Sequence, residues 1–420
     1  MKSETRRGEP RGAPSATGTA ASVLIYLTLT GVLGFVHYGL VDVPNAKTRA
    51  TYHEQVVNAE APAPIQHRLL IPLAAEGIHH VTGLTVPDTY VLLRGLATFL
   101  NLVLFHVLLA RWLPSPWPLT GTLFLAAITP LLYLGAQFQE GDHWNLTAYL
   151  AALLVLAARR DGWLWPLILV AMLNREDAVY FPLLYLLARY DELPAGALLL
   201  RAGGLATLAL GVYGGLRVAL GTRAWYSEFM FIQQNLSDPM AYAMVALTFG
   251  LFGLIAWRGL ANRPAFWRRM AAAVPFLLLT RIAFTQMQEA RNLIPLVPIV
   301  LPLGLLAMAS RAGVAPPADP RLSVATTPFR ERPGAWLSLL AVAFLAAFGL
   351  FVRFGQRTYQ AGFDHRREAV QHYLEAKRLA KAGDRAGVIA ALRRAITAAP
   401  ESTVAAAARK RLERITAPTP

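Results

Sequence analysis

Two short apolar segments, 163–173 and 178–188, flank a polar island near the middle of the chain. The island is Asn174-Arg175-Glu176-Asp177, and it places three charges inside a stretch that is otherwise suited to hydrocarbon. A charged side chain at bilayer depth costs from about 3 to more than about 10 kcal/mol, so it normally persists where a protein interior or a water-lined cavity receives it. The pattern predicts two half-length helices with a functional cleft at their tip. The alternative is that two short helices simply bring the island to a membrane surface.

Longer apolar runs along the chain predict membrane-spanning helices. Such a helix needs about 20 apolar residues to cross about 30 Å of hydrocarbon. Runs of this kind predict nine full spans, at 22–40, 89–111, 117–136, 144–158, 196–218, 240–257, 270–286, 292–310 and 336–352. Segment 68–83 is too short and polar for a span and predicts a helix at the outer interface. The predicted fold class is all-α, a polytopic membrane bundle of about nine full spans plus a re-entrant pair, with a short helical C-terminal tail.

Composition supports this class and excludes others. The chain is 55% hydrophobic and 15% charged, whereas soluble domains carry about 25% charged residues. The absence of cysteine excludes disulfides, thiol catalysis and thiolate metal sites. A net charge of +15 invites a nucleic-acid reading, but no soluble basic domain, zinc-finger spacing or aromatic RNA-binding motif accompanies it. The predicted partner is the lipid bilayer, and nucleic acid is not a predicted partner.

The distribution of charge predicts the orientation. With the N-terminus in the cytoplasm and alternating spans, 17 Lys and Arg residues fall inside and 8 outside, the tail excluded, as the positive-inside rule requires. One continuous helix through the island would move the arginine cluster at 258–269 to the outside, so the arms are predicted to form a re-entrant pair. The predicted location is the inner (plasma) membrane of a bacterium, with several passes and an extracytoplasmic C-terminus.

Three regions follow from this organisation. They are a basic cytoplasmic N-terminus at 1–20, a transmembrane domain at 21–353 and an extracytoplasmic helical tail at 354–420. The tail predicts three short helices with breaks at Gly383-Asp384 and Pro400. Its spacing of Leu379, Gly383, Ala391, Ala395 and Pro400 weakly resembles a tetratricopeptide repeat. One repeat must pack on itself, on the membrane domain or on a protein partner, and a plain amphipathic tail is the alternative.

Polar residues gather in four groups that this topology places on one side. The first is a long loop predicted at 41–67, with Asp42, Glu54 and Glu60, which runs into Arg68. Loops of this length are often functional.

The second group is Glu140, Asp142 and His143 at the start of a predicted span. General acid or base work needs one such carboxylate with a pKa tuned by burial, and helix capping is the alternative. No cofactor follows from the sequence, and a divalent metal ion at Asp142 and His143 stays an open alternative.

The third group is the island and the fourth is Arg281, Glu289 and Arg291 before a proline-rich span. Arg175 beside Glu176 and Asp177 can form an internal ion pair or grip an anion. Arginine suits phosphate because its planar fork gives two parallel charge-assisted hydrogen bonds. Ion pairs that only fix helix packing would produce the same pattern.

Three motifs carry a resemblance to a known superfamily. They are Arg68-x-Leu70-x-Pro72 at the end of the first outer loop, Asn174-Arg175-Glu176 between short apolar arms, and Glu289-x-Arg291 before a proline-rich apolar span. Over residues 20–310 the chain resembles bacterial multi-spanning proteins of the GT-C glycosyltransferase superfamily. The resemblance implies inverting transfer of a hexosyl or pentosyl group from a polyprenyl-phosphate-linked sugar donor to an extracytoplasmic glycan or lipid acceptor.

The resemblance also implies roles for particular residues. An acid of the first outer loop acts as the base or its activator, which matches Glu54, Asp42 or Glu60. Because this loop lacks an Asp-Asp or Asp-Glu pair, the choice among the three stays open. Positive residues hold the donor phosphate, which matches Arg175, Arg291 and Arg68. The other substrate-binding candidates are Glu140, Asp142, His143, Asn174, Glu176, Asp177 and Glu289.

Two other functional classes fit the same residues. The first is a transporter or flippase of a lipid-linked saccharide, in which the intramembrane charges line a substrate path. Transporters often have repeated halves with a broken helix in each, and the sequence shows one broken element. The second is a non-catalytic scaffold for envelope assembly, whose tail binds a partner protein.

Overall fold

Every regular element in the described part of the chain is a helix. The computed structural model describes residues 16–61, 64–133, 141–221, 231–314, 368–369, 371–400 and 403–416. Helices satisfy their backbone N–H and C=O groups within one segment, which suits long apolar runs. The all-α prediction is confirmed for these residues. The chain divides into two compact units, of which the first holds the described helices up to residue 314 and the second holds the C-terminal helices.

The first unit contains thirteen described helices. They are α1 Ala16–His37, α2 Val43–Val57, α3 Leu70–Thr82, α4 Val86–Ala110, α5 Trp117–Ile128, α6 Gly141–Ala157, α7 Leu164–Asn174, α8 Phe181–Arg189, α9 Ala195–Leu220, α10 Ile232–Ser237, α11 Pro239–Ile255, α12 Ala265–Phe284 and α13 Val297–Arg311. Short 3-10 turns join several of them, including Glu176–Tyr180 between α7 and α8 and Ala290–Leu293 before α13.

Fewer helices reach membrane-crossing length than the sequence predicts. Among the described residues, three segments are long and apolar enough: Ala21–Asp42, Val86–Ala110 and Ala195–Leu220. Predicted spans 117–136, 240–257 and 292–310 hold apolar helices of 10–17 residues, which rise less than about 26 Å. Local breaks shorten them, such as the kink at Gly250, where φ is 46°. The ninth predicted span, 336–352, lies outside the described residues.

Large apolar side chains fill the centre of the first unit and also cover part of its surface. Trp267, Tyr149 and Phe181 are among the largest fully buried side chains, and they lie between α6, α8 and α12. Around this core, α1, α9 and α11 turn apolar residues outward, and Val218 is 89% exposed. A periphery of this kind indicates an apolar environment or a large interaction surface.

The two arms of the island are separate short helices that run out and back, and both pack against α6 and α9. Arg189 ends α8, and its Nε and Nη2 donate to the carboxylate of Asp161, just before α7, at 2.9 and 2.7 Å. The start of one arm and the end of the other therefore lie together. Arg189 Nη2 also donates to the carbonyl of Leu156 at 2.7 Å. This is the hairpin that the apolar pattern predicts, with the island at its tip.

Further ion pairs surround the base of the hairpin. Arg269, in the first turn of α12, donates to Asp191 at 2.7 Å and to Glu192 at 3.1 Å. Arg159 donates to the same Glu192 at 3.1 Å. We call these residues the basal clasp: Arg159, Asp161, Arg189, Asp191, Glu192 and Arg269. The clasp ties both arms to α6 and α12.

The prediction of a loop over 41–67 is wrong for most of its length. A π-helical turn, Tyr38–Asp42, leads from α1 directly into α2. Residues 45–57 contain neither glycine nor proline, so nothing in this polar stretch interrupts the helix. The loop proper begins after Val57. It is closed by Gln66, which accepts from the N–H of Ala61 at 2.8 Å and donates to the carbonyl of Val56 at 3.1 Å.

The second unit consists of three helical segments in its described part. They are α14 at 371–381, α15 Arg385–Ala398 and α16 Thr403–Thr416. The break after α14 falls at Gly383, where φ is 77°, and Asp384 caps α15 by accepting from the N–H of Gly387 at 2.8 Å. Ala391 and Ala395 are fully buried in one small core with Ala408. The three segments therefore pack on one another.

We expect Arg189→Gln to lower the free energy of unfolding by about 3 kcal/mol, because Asp161 and the Leu156 carbonyl lose a buried charged donor. Thermal unfolding of the purified chain in detergent measures the change. Arg159→Gln is the matched control. The Arg159 side chain is half-exposed, so its ion pair with Glu192 should contribute less than about 1 kcal/mol to the free energy of unfolding. Equal, small changes in both variants would contradict the structural role of the buried Arg189–Asp161 pair.

Candidate functional site

The island interrupts the backbone helix and projects its charges from the break. Asn174 ends α7, Arg175 is extended with φ −153° and ψ 145°, and a 3-10 turn begins at Glu176. Asn174 Nδ2 donates to the carbonyl of Gly141 at 2.8 Å. A Cβ at position 141 would lie 2.8 Å from Asn174 Oδ1, so glycine lets the start of α6 approach the island closely.

Buried arginines and carboxylates from four parts of the chain meet around this break. Arg175 forms an ion pair with Asp142 at the start of α6. Arg281 of α12 donates to Asp177 Oδ1 at 2.8 Å, while Asp177 Oδ2 lies 3.5 Å from Arg175 Nε. The fourth part is Arg291, whose Nη1 lies 3.5 Å from Asp142 Oδ2.

Two neighbours complete this arrangement. Arg291 Nη2 donates to Glu289 at 2.6 Å, and Asn145 Nδ2 donates to Asp177 Oδ2 at 2.9 Å. We call the charged set the tip cluster: Asp142, Arg175, Asp177, Arg281, Glu289 and Arg291. Its three guanidinium groups and three carboxylates balance in charge. A buried charge is tolerated in this way only when it is paired.

The first predicted group reaches the island through Arg68. Its Nη2 donates to Glu176 Oε1 at 2.8 Å, and its Nε lies 3.4 Å from Glu176 Oε2. The two side chains are 13% and 32% exposed, so this pair lies at the rim of the buried charges. The structure thus brings residues of all four predicted groups to one region.

The three candidate bases do not lie together. Asp42 is buried and forms ion pairs with both Arg49 and Arg94, and its Oδ2 is 3.3 Å from His37 Nδ1. Glu54 and Glu60 are exposed. Because α2 is a helix, Glu54 lies about 18 Å from Asp42 along the helix axis. Of the three acids, Asp42 alone lies among buried polar side chains.

His143 links the surroundings of Asp42 to the tip cluster. Its ring is buried, 6.1 Å from the ring of His37, and its Nδ1 lies 3.4 Å from the hydroxyl of Thr98. The preceding residue is Asp142 of the tip cluster. Within the described residues no three metal-binding side chains converge on one point. Glu140 lies outside the described residues.

Sequence reasoning missed the buried residues of α4. Arg94 contacts Asp42, while Asn101 Nδ2 donates to the carbonyl of His143 at 3.0 Å. With Tyr90 and Thr98, these residues follow a helical spacing along one face of an apolar segment. That polar stripe was the available signal. Arg281 belonged to the fourth group, but its partner Asp177 was not predictable from spacing.

A second polar chain joins α2, α3 and α4. His53 Nε2 lies 2.8 Å from Glu76 Oε2, and His53 Nδ1 lies 3.1 Å from the hydroxyl of Tyr90. The hydrogen bond from His53, opposed by partial burial, holds the pKa of Glu76 below its usual range. His80 pairs with the other oxygen of Glu76 at 2.9 Å. These residues were not among the predicted site residues, and their contacts tie three helices together.

The tip cluster retains hydrogen-bonding capacity. Arg175 Nε, Arg281 Nε and Arg291 Nη1 are buried and have no hydrogen-bond partner among the described residues, and the same holds for Asn174 Oδ1. Buried polar atoms normally have partners. Beyond its ion pairs, the Asp142 carboxylate also has no hydrogen-bond partner among these residues. The cluster therefore has unused acceptors as well as unused donors, and its guanidinium donors are suited to an anionic group.

Comparisons with known proteins leave the family open. No family model, curated protein or solved structure matches the chain.

We expect Asp142→Asn to lower the free energy of unfolding by about 3 kcal/mol, because Arg175 loses a buried carboxylate. Adding Arg175→Gln should recover part of this loss, with a coupling of at least about 1 kcal/mol. Thermal unfolding of the wild type, both single variants and the double variant gives this coupling. Strictly additive effects would show that the two side chains do not interact.

Proposed function

We propose that the chain is an integral membrane glycosyltransferase that moves a sugar from a polyprenyl-phosphate-linked donor to an extracytoplasmic acceptor. The observation that carries the proposal is the tip cluster, in which three buried guanidinium groups meet at the end of a half-length hairpin. The three sequence motifs that resemble GT-C enzymes contribute Arg68, Arg175 and Arg291 to this region. A polar interior of this kind inside an apolar bundle marks a ligand site more often than a packing device.

The apolar periphery supports a location in the membrane. Three helices have the length and composition to cross it, and exposed Leu, Val and Phe side chains cover their outer faces. Arg281 lies twelve residues beyond Arg269 on α12, which places the tip cluster about 18 Å from the basal clasp. With the clasp at the cytoplasmic surface, as the charge distribution predicts, the cluster lies past mid-membrane, and the partly exposed Arg68–Glu176 pair lies at its rim.

Charge exchange explains how a neutral cluster can bind phosphate. In this structure, Arg175 and Arg291 share the carboxylate of Asp142. A lipid phosphate entering beside them offers the same bidentate acceptor geometry as a carboxylate. The unused donors on Arg175, Arg281 and Arg291 then find partners. The phosphate is held where negative charge grows as the sugar departs, which stabilises the transition state.

In the proposed step, the acceptor oxygen bonds to the anomeric carbon as the bond from that carbon to the phosphate oxygen breaks. The lipid phosphate leaves with the electron pair, and the proton of the acceptor hydroxyl passes to a carboxylate. We assign this base to Asp42, because Glu54 and Glu60 are exposed. A carboxylate paired with Arg49 and Arg94 is a weak base. It suffices when the proton leaves late, after the acceptor hydroxyl has become acidic.

A transporter of the same lipid-linked saccharide is the second candidate. A specific observation favours it: the break at Arg175 and the break between α12 and α13 meet through Arg291 and Asp142. Two discontinuous elements converging on one site are typical of transporters. Movement of a labelled donor across proteoliposomes without release of polyprenyl phosphate would support this candidate over the transferase.

We expect Arg175→Lys to reduce sugar transfer about 100-fold to 1000-fold, because Lys keeps the charge but loses the fork. Release of polyprenyl monophosphate, measured in membrane vesicles supplied with polyprenyl-phosphate-linked hexoses and pentoses, gives the rate. Arg201→Gln, on the exposed face of α9, is the control and should keep the wild-type rate. Normal transfer by a folded Arg175→Lys variant would overturn the proposed phosphate site.

A further inference from the structure

Four arginines lie at the basal end of the first unit, and none of them has a carboxylate partner among the residues that the structure describes. Arg258 and Arg263 belong to the connection between α11 and α12, Arg268 to the first turn of α12, and Arg311 to the end of α13. None of them forms an ion pair with a described acidic residue. In the neighbouring basal clasp, three arginines meet three acids. We call the four unneutralised residues the arginine quartet.

Arg263 is built into the centre of this quartet. It is 7% exposed, and its Nη1 donates to the carbonyl of Leu306 at 2.7 Å while its Nη2 donates to that of Arg258 at 3.1 Å. Its Nε is buried without a partner in the described residues. Burial, and then the charge of Arg311, hold the pKa of Arg263 below its usual range. The second of these causes indicates that the guanidinium groups of Arg263 and Arg311 lie near each other.

The connection between α11 and α12, which carries Arg258 and Arg263, is held in one shape. Gly259 turns the chain in the left-handed region, with φ 65°, and Arg268 Nη1 donates to the carbonyl of Ala261 at 3.0 Å. Arg258, Arg268 and Arg311 are exposed. The site thus combines a fixed, buried positive centre with three accessible guanidinium groups.

Aromatic side chains flank the same end. Trp257 is 43% exposed beside Arg258, and Phe266 stacks on Trp112 with ring centroids 5.2 Å apart. Tryptophan at the end of apolar helices is typical of the level of lipid headgroups. A basic pocket between helix ends at that level is suited to the phosphate of an anionic lipid.

We propose that Arg258, Arg268 and Arg311, arranged around Arg263, bind the phosphate headgroup of an anionic phospholipid. This site is separate from the tip cluster, because α12 carries Arg268 at one end and Arg281 near the other. It does not depend on the proposed transferase activity. The bound lipid neutralises the quartet in the way that Asp161, Asp191 and Glu192 neutralise the clasp.

Thermal unfolding of the full chain in zwitterionic micelles, titrated with short-chain phosphatidylglycerol or phosphatidylcholine, tests the proposal. We expect phosphatidylglycerol to raise Tm at concentrations at least about tenfold lower than phosphatidylcholine does. The triple variant R258Q/R268Q/R311Q should lose this selectivity, since each arginine near an anionic surface contributes to binding. Arg263 is left in place because its contacts with backbone carbonyls support the fold.

The control variant R111Q/R160Q/R201Q removes the same charge from exposed arginines and should keep the selectivity. Equal loss in both triple variants would show diffuse surface attraction and overturn the site. No difference between the two lipids with the wild-type chain would do the same. A matching rise of Tm with inorganic phosphate alone would show that the ligand is not a lipid.

Discussion

At the hairpin tip, three guanidinium groups buried away from water are paired with carboxylates, and much of the first unit is arranged around this pairing. Arg175, Arg281 and Arg291 come from three separate segments and share Asp142, Asp177 and Glu289. Two of the contributing backbones depart from regular helix near the meeting point, one at the island and one before α13. Apolar residues surround these charges, so removing one partner costs more there than at a surface, because the other charge is left buried and unpaired.

Several features of this arrangement were accessible from the sequence. Charges inside apolar segments have few places to go, so the pattern predicted that the island, Asp142 and Arg291 would converge. The hairpin followed from two arms too short to span a bilayer. The pattern could not show which carboxylate pairs with which arginine. The pairing of Asp177 with Arg281, and of Asp42 with Arg94, depends on how helices rotate and pack, which no spacing along one segment reveals.

The error over α2 has a related cause. A polar segment after a membrane span is usually interpreted as a loop. A polar surface helix satisfies the hydrogen bonds of its backbone equally well. The consequence is chemical: a helix fixes Asp42 inside and turns Glu54 outward, so the predicted set of bases is divided by secondary structure. Along α12, Arg269 closes the base of the hairpin and Arg281 holds Asp177 at its tip. A rigid basal end of the hairpin allows the charges at its tip to keep one geometry for a ligand.

We propose that the hairpin tip faces the extracytoplasmic side. Glu176→Cys tests it most directly, because the chain has no cysteine of its own and the Glu176 side chain is 32% exposed. An impermeant thiol reagent added outside intact cells should label this variant, and a polyprenyl monophosphate should protect it. Arg160→Cys, at the basal end, should be labelled only after the membrane is opened. Labelling of position 176 from the cytoplasmic side alone would contradict the account.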